Sequence, residues 1–184
     1  MQITHSHLIL DACCVLNFCA SGNFLGILKS IPAEVVVTTV VQEYELRKLQ
    51  QIKEEDNQGA IQFEEAIKQG LLIVVDFESE PEEELFVNYA AILDDGESAT
   101  CAIAVHRQWA IASDDKRAIA FMQKEDSHIQ ILSTLEIIKH WSETAGLNSS
   151  ELRDVLKTIR LKGRYIPSRN DPLRSWWETK FQES

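Results

Sequence analysis

The sequence has no long hydrophobic run, few cysteines and little positive charge, and each shortage excludes a class of protein. No apolar stretch in the 184 residues approaches the roughly 20 residues that a transmembrane helix needs. The opening MQITHSHLILDACC lacks a basic segment before its apolar stretch and lacks a small-residue cleavage site. We therefore expect no signal peptide, no membrane association and a cytoplasmic location.

The four cysteines are not spaced like a disulfide framework or a zinc site. Cys13, Cys14 and Cys19 lie close together, Cys101 lies far from them, and no C-x-x-C occurs. None of the five histidines pairs with these cysteines in a zinc-like pattern. The sequence therefore predicts reduced cysteines that act as small core residues.

Positive charge is scarce and unevenly placed. The net charge of −11 and the pI of about 4.9 argue against a protein that coats nucleic acid nonspecifically. Residues 151–184 nevertheless carry eight basic and five acidic side chains, against ten and 24 in residues 1–150. The basic tail is either a phosphate-binding segment beside an acidic site or a solvated surface without function.

Short apolar runs alternate with longer amphipathic stretches. The predicted strands are residues 7–11, 34–37, 71–75, 109–113 and 128–132. Apolar strands that are separated by helices predict a parallel sheet covered on both faces. We expect an α/β fold, a three-layer α/β/α doubly wound sandwich with about five strands. Residues 1–184 are interpreted as a single domain, with residues 148–184 as its helical, relatively basic C-terminal extension.

Polar residues and glycines indicate where the helices begin and end. Thr39 is the predicted N-cap of a helix that runs to about Gln50, with Gln42 as its capping-box partner. Gly70 ends a predicted helix over Ala60–Gln69. The other predicted helices are Phe24–Lys29, one with Pro81 in its first turn, Glu97–Arg107, one capped by Asp114 or Asp115, Leu135–Trp141, one capped by Ser149 or Ser150, and one after Pro172.

Acidic residues follow the predicted strand ends, which is where ligands bind in doubly wound folds. Asp11 ends the first strand, and Asp114 and Asp115 end the fourth. Glu43 lies in the first turn after the second strand, and Glu97 lies in LDDGESATCAIA. Carboxylates that are brought together repel one another unless a cation binds, and oxygen ligands favour Mg²⁺ or Mn²⁺. These five acids are therefore the candidate catalytic and metal-binding residues.

Each acid also has a purely structural interpretation. Glu43 could complement the partial charge at a helix N-terminus. Asp94 and Glu97 have the spacing of a capping box. Asp114 and Asp115 could be an N-cap and its neighbour, and we expect one of the two to be no more than that.

With these residues identified, the chain resembles the PIN-domain family, and within it the VapC-like branch of toxins. The similarity runs from about Leu8 to Leu173. It is carried by four segments: LILDACCVLNFCASGNFLGIL, DDGESATCAIAVHRQW, IASDDKRAIA and LRDVLKTIRLKGRYIPSRNDPL. The resemblance implies the strand order 3-2-1-4-5 and an acidic pocket that binds one or two Mg²⁺ or Mn²⁺ ions.

The same resemblance implies a Mg²⁺- or Mn²⁺-dependent endoribonuclease that is the toxin of a type II toxin–antitoxin pair. RNA would be its substrate, and a cognate antitoxin and a second copy of the chain would be its partners. Carried over by position, the carboxylates are Asp11, Glu43, Glu97, and Asp114 or Asp115. Glu45 competes with Glu43, and Asp95 could replace or support Glu97. The basic residues expected to bind substrate are Lys116, Arg117 and Arg164.

Two other functions fit parts of the sequence. A catalytically silent PIN-like domain that binds RNA or protein is suggested by the acidic pI and by Cys13, which replaces the small polar residue usual in the branch. A phosphatase with Asp11 as nucleophile is disfavoured, because such enzymes place a second acid where Cys13 stands, and no Gly-rich phosphate loop is present. In the tail, Trp176 and Trp177 are expected to pack one inward and one over a surface groove.

Overall fold

The computed structural model describes residues 1–43 and 58–182, which form a five-stranded parallel sheet with helices on both faces. The strands are β1 (His7–Leu10), β2 (Glu34–Thr38), β3 (Ile73–Val75), β4 (Ala110–Ala112) and β5 (Ile131–Leu132). Their order is β3-β2-β1-β4-β5, and every neighbouring pair is parallel. The predicted fold class and strand order are therefore confirmed.

The helices lie between the strands and after the last one. Residues 39–43 are helical and are called α3. The other helices are α1 (Ala12–Ala20), α2 (Phe24–Ser30), α4 (Gln58–Lys68), α5 (Glu80–Ala90), α6 (Asp95–Arg107), α7 (Lys116–Glu125), α8 (Thr134–Thr144), α9 (Ser149–Lys162) and α10 (Arg174–Gln182).

The side chains of β1 alternate between two hydrophobic clusters, one on each face of the sheet. Leu8 and Leu10 belong to the cluster formed with α1, α2, α4, α8, α9 and α10. Ile9 belongs to the cluster formed with α5, α6 and α7. This alternation follows from the period of two in an extended strand, and it produces the three layers.

Helices α1 and α2 of the first cluster are rich in apolar residues. Within 1–43 and 58–182, no single helix is long and apolar enough to cross a membrane. Helices α1 and α2 reach the required length and composition only when taken together, and they are bent by 119° at their junction.

All four cysteines have free thiols, and three of them are core residues as predicted. No disulfide joins any of the four, and Cys14, Cys19 and Cys101 are buried in the clusters. Cys13 differs because it is only half-buried, at the start of α1. Its thiol therefore lies within reach of the sheet edge that carries the acids.

Two predicted helix caps are wrong by one or two residues. Thr38, not Thr39, accepts the capping hydrogen bond from Val41 N at 3.1 Å, because β2 continues to Thr38 and the helix begins directly after it. Thr39 instead donates its hydroxyl to Val75 O at 3.2 Å. The predicted end of this helix near Gln50 lies outside the described residues, as does Glu45.

Helix α9 is capped by Asn148 and not by Ser149 or Ser150. Asn148 Oδ1 accepts from Ser150 N and Glu151 N, each at 3.0 Å, and Glu151 Oε2 accepts from Asn148 N at 2.9 Å. The serines are the first helical residues instead. Helix α6 likewise begins at Asp95, two residues before the predicted start at Glu97.

The C-terminal helices pack onto the same cluster as α1. Trp177 is buried in edge-to-face contact with Tyr165, with ring centroids 5.7 Å apart. Trp176 is half-buried and also contacts the cluster. The expectation that one tryptophan packs inward is confirmed, and this packing brings residues 163–171 beside the end of β4.

Candidate active site

Asp11 is a buried carboxylate at the point where β1 ends and α1 begins. Its backbone is extended, with φ −74° and ψ 155°, and it is the N-cap of α1. Oδ1 accepts from Ala12 N at 2.7 Å, and Oδ2 accepts from the Ser113 hydroxyl at 2.8 Å and from Cys13 Sγ at 3.2 Å. Burial raises the pKa of Asp11, and the three donors offset part of that rise. The carboxylate is thus held in one orientation at the carboxyl edge of the sheet.

Asp114 follows β4 and is fixed by donors from two other elements. Its Oδ2 accepts from Asn17 Nδ2 at 3.2 Å, and its Oδ1 accepts from Thr134 N at 3.0 Å. Burial raises the pKa of Asp114, and the negative charge of Asp11 raises it further. Cys13 links the two residues, because its Sγ lies 3.2 Å from Asp11 Oδ2 and 3.3 Å from Asp114 N.

Asp115 has the capping role that was expected for one member of the pair. Its Oδ1 accepts from Arg117 N at 2.7 Å and from Ala118 N at 2.9 Å, so it is the N-cap of α7. The side chains of Asp114 and Asp115 therefore point in different directions. Asp114 turns toward α1 and α8, whereas Asp115 closes the first turn of α7.

Glu97 closes the first turn of α6 and also belongs to the acidic group. Asp94 Oδ1 accepts from Glu97 N at 2.8 Å, and Glu97 Oε2 accepts from Asp94 N at 3.3 Å, so the expected capping box is present. Partial burial and the charge of Asp94 raise the pKa of Glu97 to about 7, with smaller contributions from Asp115 and Asp11. The capping role therefore coexists with repulsion from the other carboxylates.

Glu43 and Asp95 lie at the border of this group. Both are exposed, Glu43 in α3 and Asp95 in the first turn of α6. The two helices approach each other closely, because a Cβ added at Gly96 would lie 3.5 Å from Val41 Cγ2. The fold thus brings the helix of Glu43 next to the turn of Glu97, while the roles of Glu43 and Asp95 as ligands stay predictions.

The strand order and the acids at one sheet edge agree with a comparison with known families. A family model described as PIN domain matches residues 7–170. The chain belongs to the PIN-domain family. No curated protein and no solved structure matches the chain significantly. PIN domains are generally nucleases that use divalent metals, so the family supports hydrolysis of phosphodiester bonds.

The oxygen donors of this PIN domain fit a hard divalent cation. The negative charge of Asp11 raises the pKa of both Glu97 and Asp114, and the charge of Asp94 raises the pKa of Asp11. This is repulsion of the kind that a bound cation offsets. The carboxylates are nevertheless not drawn into a compact cluster. Among the described residues, the only group of three metal-ligating side chains whose atoms lie within 4.8 Å of one another is Cys13, Cys14 and Asp114.

Three polar residues that the sequence patterns do not single out, Ser113, Asn17 and Thr134, hold the acids in place. Ser113 supplies the hydroxyl that orients Asp11, and it does so from the end of β4 rather than from the position of Cys13. Asn17 and Thr134 orient Asp114. The sequence could have indicated Asn17, because it is the only strongly polar residue in the apolar run ACCVLNFCA.

An open cleft of about 460 Å³ adjoins Asp114 in this PIN domain. Two of the three predicted substrate-binding residues, Lys116 and Arg164, line it, whereas Arg117 is exposed beside it. Arg164 adopts a left-handed backbone conformation, with φ 54°. The lining of the cleft therefore combines three carboxylates, Asp114, Asp115 and Asp171, with the cations of Lys116 and Arg164.

Proposed function

We propose that this PIN domain is a Mg²⁺- or Mn²⁺-dependent endoribonuclease and the toxin of a type II toxin–antitoxin pair. The observation that carries the proposal is the buried carboxylate of Asp11 at the carboxyl edge of a parallel sheet, where three donors hold it. Cys13 Sγ links it to Asp114, and Glu97 lines the same small pocket as Asp11. A protein has little structural reason to bury a carboxylate among other carboxylates, because burial and repulsion both destabilise its charged form.

The residues of the site would have two roles in hydrolysis, metal binding and orientation of the metal ligands. Asp11, Glu97 and Asp114 would hold the cation, with Glu43, Asp95 and Asp115 as further candidates. The bound cation supplies Lewis-acid chemistry at the scissile phosphate and lowers the pKa of water. Ser113, Asn17 and Thr134 keep the carboxylates oriented, and such supporting contacts change metal affinity or activity strongly in other metal sites.

The cleft would bind the RNA chain next to the scissile phosphate. Lys116, Arg117 and Arg164 supply positive charge on one side of an otherwise acidic protein. Phosphate contacts of this kind position a nucleic acid without reading its sequence. The choice between RNA targets would then depend on the other residues of the cleft.

The decisive experiment compares RNA cleavage by the wild-type protein and by Asp11→Asn. With Mg²⁺ or Mn²⁺ the wild-type protein should cleave single-stranded RNA, and a chelator should stop it. Asp11→Asn keeps the shape of the side chain but removes its charge, so cleavage should fall by at least roughly 100-fold. Asp154→Asn, an exposed change on α9, should cleave like wild type. Equal cleavage by wild type and Asp11→Asn would refute the proposal.

One observation favours the alternative function, a catalytically silent PIN-like domain that binds RNA or protein. This observation is the thiol of Cys13 beside Asp11. Thermal unfolding separates the two functions, because a cation that binds only the folded state stabilises it by mass action. A nuclease site predicts a Tm that rises with Mn²⁺ in the wild-type protein and not in Asp11→Asn. A silent domain predicts no rise in either protein.

The toxin role also predicts partners. A cognate antitoxin should cover the acidic pocket with an Arg or Lys, as charge complementarity favours. A small neighbouring reading frame that encodes a DNA-binding domain should be present, and its product should copurify with the chain. The resemblance further implies a homodimer, which light scattering on the purified chain tests. Absence of such a reading frame would remove the toxin role but would leave the nuclease untouched.

A further inference from the structure

Two thiols meet a carboxylate beside the cleft. Cys13, Cys14 and Asp114 each place one ligand atom within 4.8 Å of the other two. The proposed nuclease needs only the carboxylate of this group, so the two sulfur atoms have no role in it. Adjacent cysteines in the first turn of α1 present both sulfurs toward the end of β4, where Asp114 lies.

We propose that Cys13, Cys14 and Asp114 form a binding site for a thiophilic divalent cation, with Zn²⁺ as the natural occupant. Two sulfur ligands and one oxygen ligand suit Zn²⁺, whereas Mg²⁺ and Mn²⁺ prefer oxygen throughout. The site differs in chemistry from the all-carboxylate site although it shares Asp114 with it.

The distances support a site that needs little rearrangement. In a tetrahedral zinc site, bond lengths of about 2.3 Å to sulfur and about 2.0 Å to oxygen put the two ligand atoms about 3.5 Å apart. Cys14 Sγ lies 3.8 Å from Asp114 Oδ2. A shift of a few tenths of an ångström would therefore bring both atoms into bonding range of one ion.

Each of the three ligands already accepts a hydrogen bond from a further group. Asp114 N donates to Cys13 Sγ at 3.3 Å, and the Thr134 hydroxyl donates to Cys14 Sγ at 3.4 Å. Asn17 Nδ2 donates to Asp114 Oδ2 at 3.2 Å. Donors aimed at the ligand atoms fix their orientation, which is typical of metal sites.

The cleft gives the ion a route to the buried sulfur. Cys13 and Asp114 line the cleft, and Cys14 lies fully buried behind them. A water molecule from the cleft would complete the four ligands. On binding, the Cys13 and Cys14 thiols each lose a proton to solvent and each sulfur forms a bond to the ion, with no change in oxidation state.

Because Asp114 belongs to both sites, the thiophilic ion would compete with the cation of the nuclease. This regulatory consequence rests on the proposed function, whereas binding of the ion does not. Zn²⁺ should inhibit Mn²⁺-dependent cleavage in the wild-type protein. Cys13→Ser removes one sulfur ligand but keeps a hydroxyl at the position that donates to Asp11. Measured against its own activity without Zn²⁺, it should need at least roughly tenfold more Zn²⁺ for the same fractional inhibition.

Binding is tested directly by titrating the metal-free, reduced, full-length chain with Cd²⁺, whose thiolate complexes absorb in the ultraviolet. The wild-type protein should show the charge-transfer absorption, saturating at one Cd²⁺ per chain, and Zn²⁺ should abolish it. In Cys13→Ser and in Asp114→Asn the apparent affinity should fall at least roughly tenfold. Cys101→Ala, a change at a buried cysteine in the other hydrophobic cluster, should titrate like wild type.

The result is decisive even if a core substitution prevents folding. Cys14→Ala alters a fully buried residue, whereas Cys13→Ser alters a half-buried one and serves as the main variant, with its circular dichroism checked against wild type. Absence of the absorption in wild type at equimolar Cd²⁺, or an unchanged titration in folded Cys13→Ser, overturns the site. A protein that binds Cd²⁺ but does not cleave RNA would refute only the nuclease, and one that cleaves RNA without binding Cd²⁺ would refute only this site.

Discussion

The side-chain amide of Asn17 donates to Asp114 Oδ2 and to Thr134 Oγ1, each at 3.2 Å. Asn17 is 4% exposed and lies on the otherwise apolar helix α1. The C-terminal segment packs against it so closely that a Cβ added at Gly163 would lie 2.8 Å from Asn17 Oδ1. One buried amide therefore links the first helix, the acid after β4, the start of α8 and the tail.

Replacing Asn17 should weaken both the fold and the site. In Asn17→Ala, Asp114 and Thr134 are each deprived of a buried partner, so we expect the free energy of unfolding to fall by about 1–3 kcal/mol. Misorientation of Asp114 should lower the rate of RNA cleavage by roughly 10- to 100-fold. Urea unfolding and cleavage assays measure the two effects. Asn23→Ala, whose amide contacts only the Ser21 carbonyl among the described residues, should change cleavage little; an equal loss there would contradict the assignment.

Because its pKa is raised, Glu97 should make the free energy of unfolding fall as the pH rises. A carboxylate in an ion pair has the opposite effect. The pKa of Glu97 is raised to about 7, so its stabilising contribution is full below the unfolded pKa, near 4.5, and is lost as the pH rises through 7. Glu97→Gln can keep the capping hydrogen bonds but removes the charge. At pH 8 without divalent cations it should be more stable than wild type by about 1 kcal/mol, a value reduced for solvent screening.

The matched control is Glu136→Gln, because Glu136 holds the same capping-box position in α8 but lines a different cleft, together with Lys139 and His140. It should show no gain in stability at pH 8. Denaturant unfolding between pH 4.5 and 8 provides the comparison. If both glutamine variants gave the same pH profile, repulsion at the sheet edge would not be the cause.

Glu82 and Arg107 form a buried ion pair that does not line the cleft, and it should show the pH dependence usual for a paired carboxylate. Arg107 binds Glu82 through Nε at 2.7 Å and through a second guanidinium nitrogen at 2.9 Å, and Glu82 is 1% exposed. Hydrogen bonding to Arg107 lowers the pKa of Glu82. Glu82→Gln should therefore cost about 2–3 kcal/mol at pH 7.

The pH dependence of this pair follows from the lowered pKa. The contribution of Glu82 is present above its unfolded pKa and is lost as the pH falls through the folded value, so the gap between wild type and Glu82→Gln should narrow in acid. Glu83→Gln, the exposed neighbour, should stay within about 0.5 kcal/mol of wild type at every pH. A gap that widened in acid would contradict the sign.

The sequence predicts what is local and periodic in this fold, and it misses what joins distant positions. The five strands are predictable because each is a short apolar run between helical stretches, and Asp11 is predictable because it ends the first of them. The caps at Thr38 and Asn148 are missed because one backbone conformation decides between neighbouring polar residues. Ser113 meets Asp11 across 102 positions and Asn17 meets Asp114 across 97, and no pattern within one sequence indicates such pairings.

The cations of the cleft should affect substrate binding more than the chemical step. Lys116→Gln and Arg164→Gln each remove a charge that lines the cleft. We expect KM for single-stranded RNA to rise about fivefold in each variant, which corresponds to roughly 1 kcal/mol, with kcat nearly unchanged. The dependence of log KM on log salt should become shallower by about 0.7 for each phosphate that the variant no longer neutralises.

Two further variants show whether position or mere charge matters. Arg117→Gln removes a charge that is exposed beside the cleft and does not line it, so its effect should be smaller than that of Lys116→Gln. Lys124→Gln lies in the last turn of the same helix, α7, and should leave KM and the salt dependence as in wild type. Equal changes of KM in all four variants would mean that RNA binding depends on net charge alone. That result would refute the cleft as the RNA-binding site.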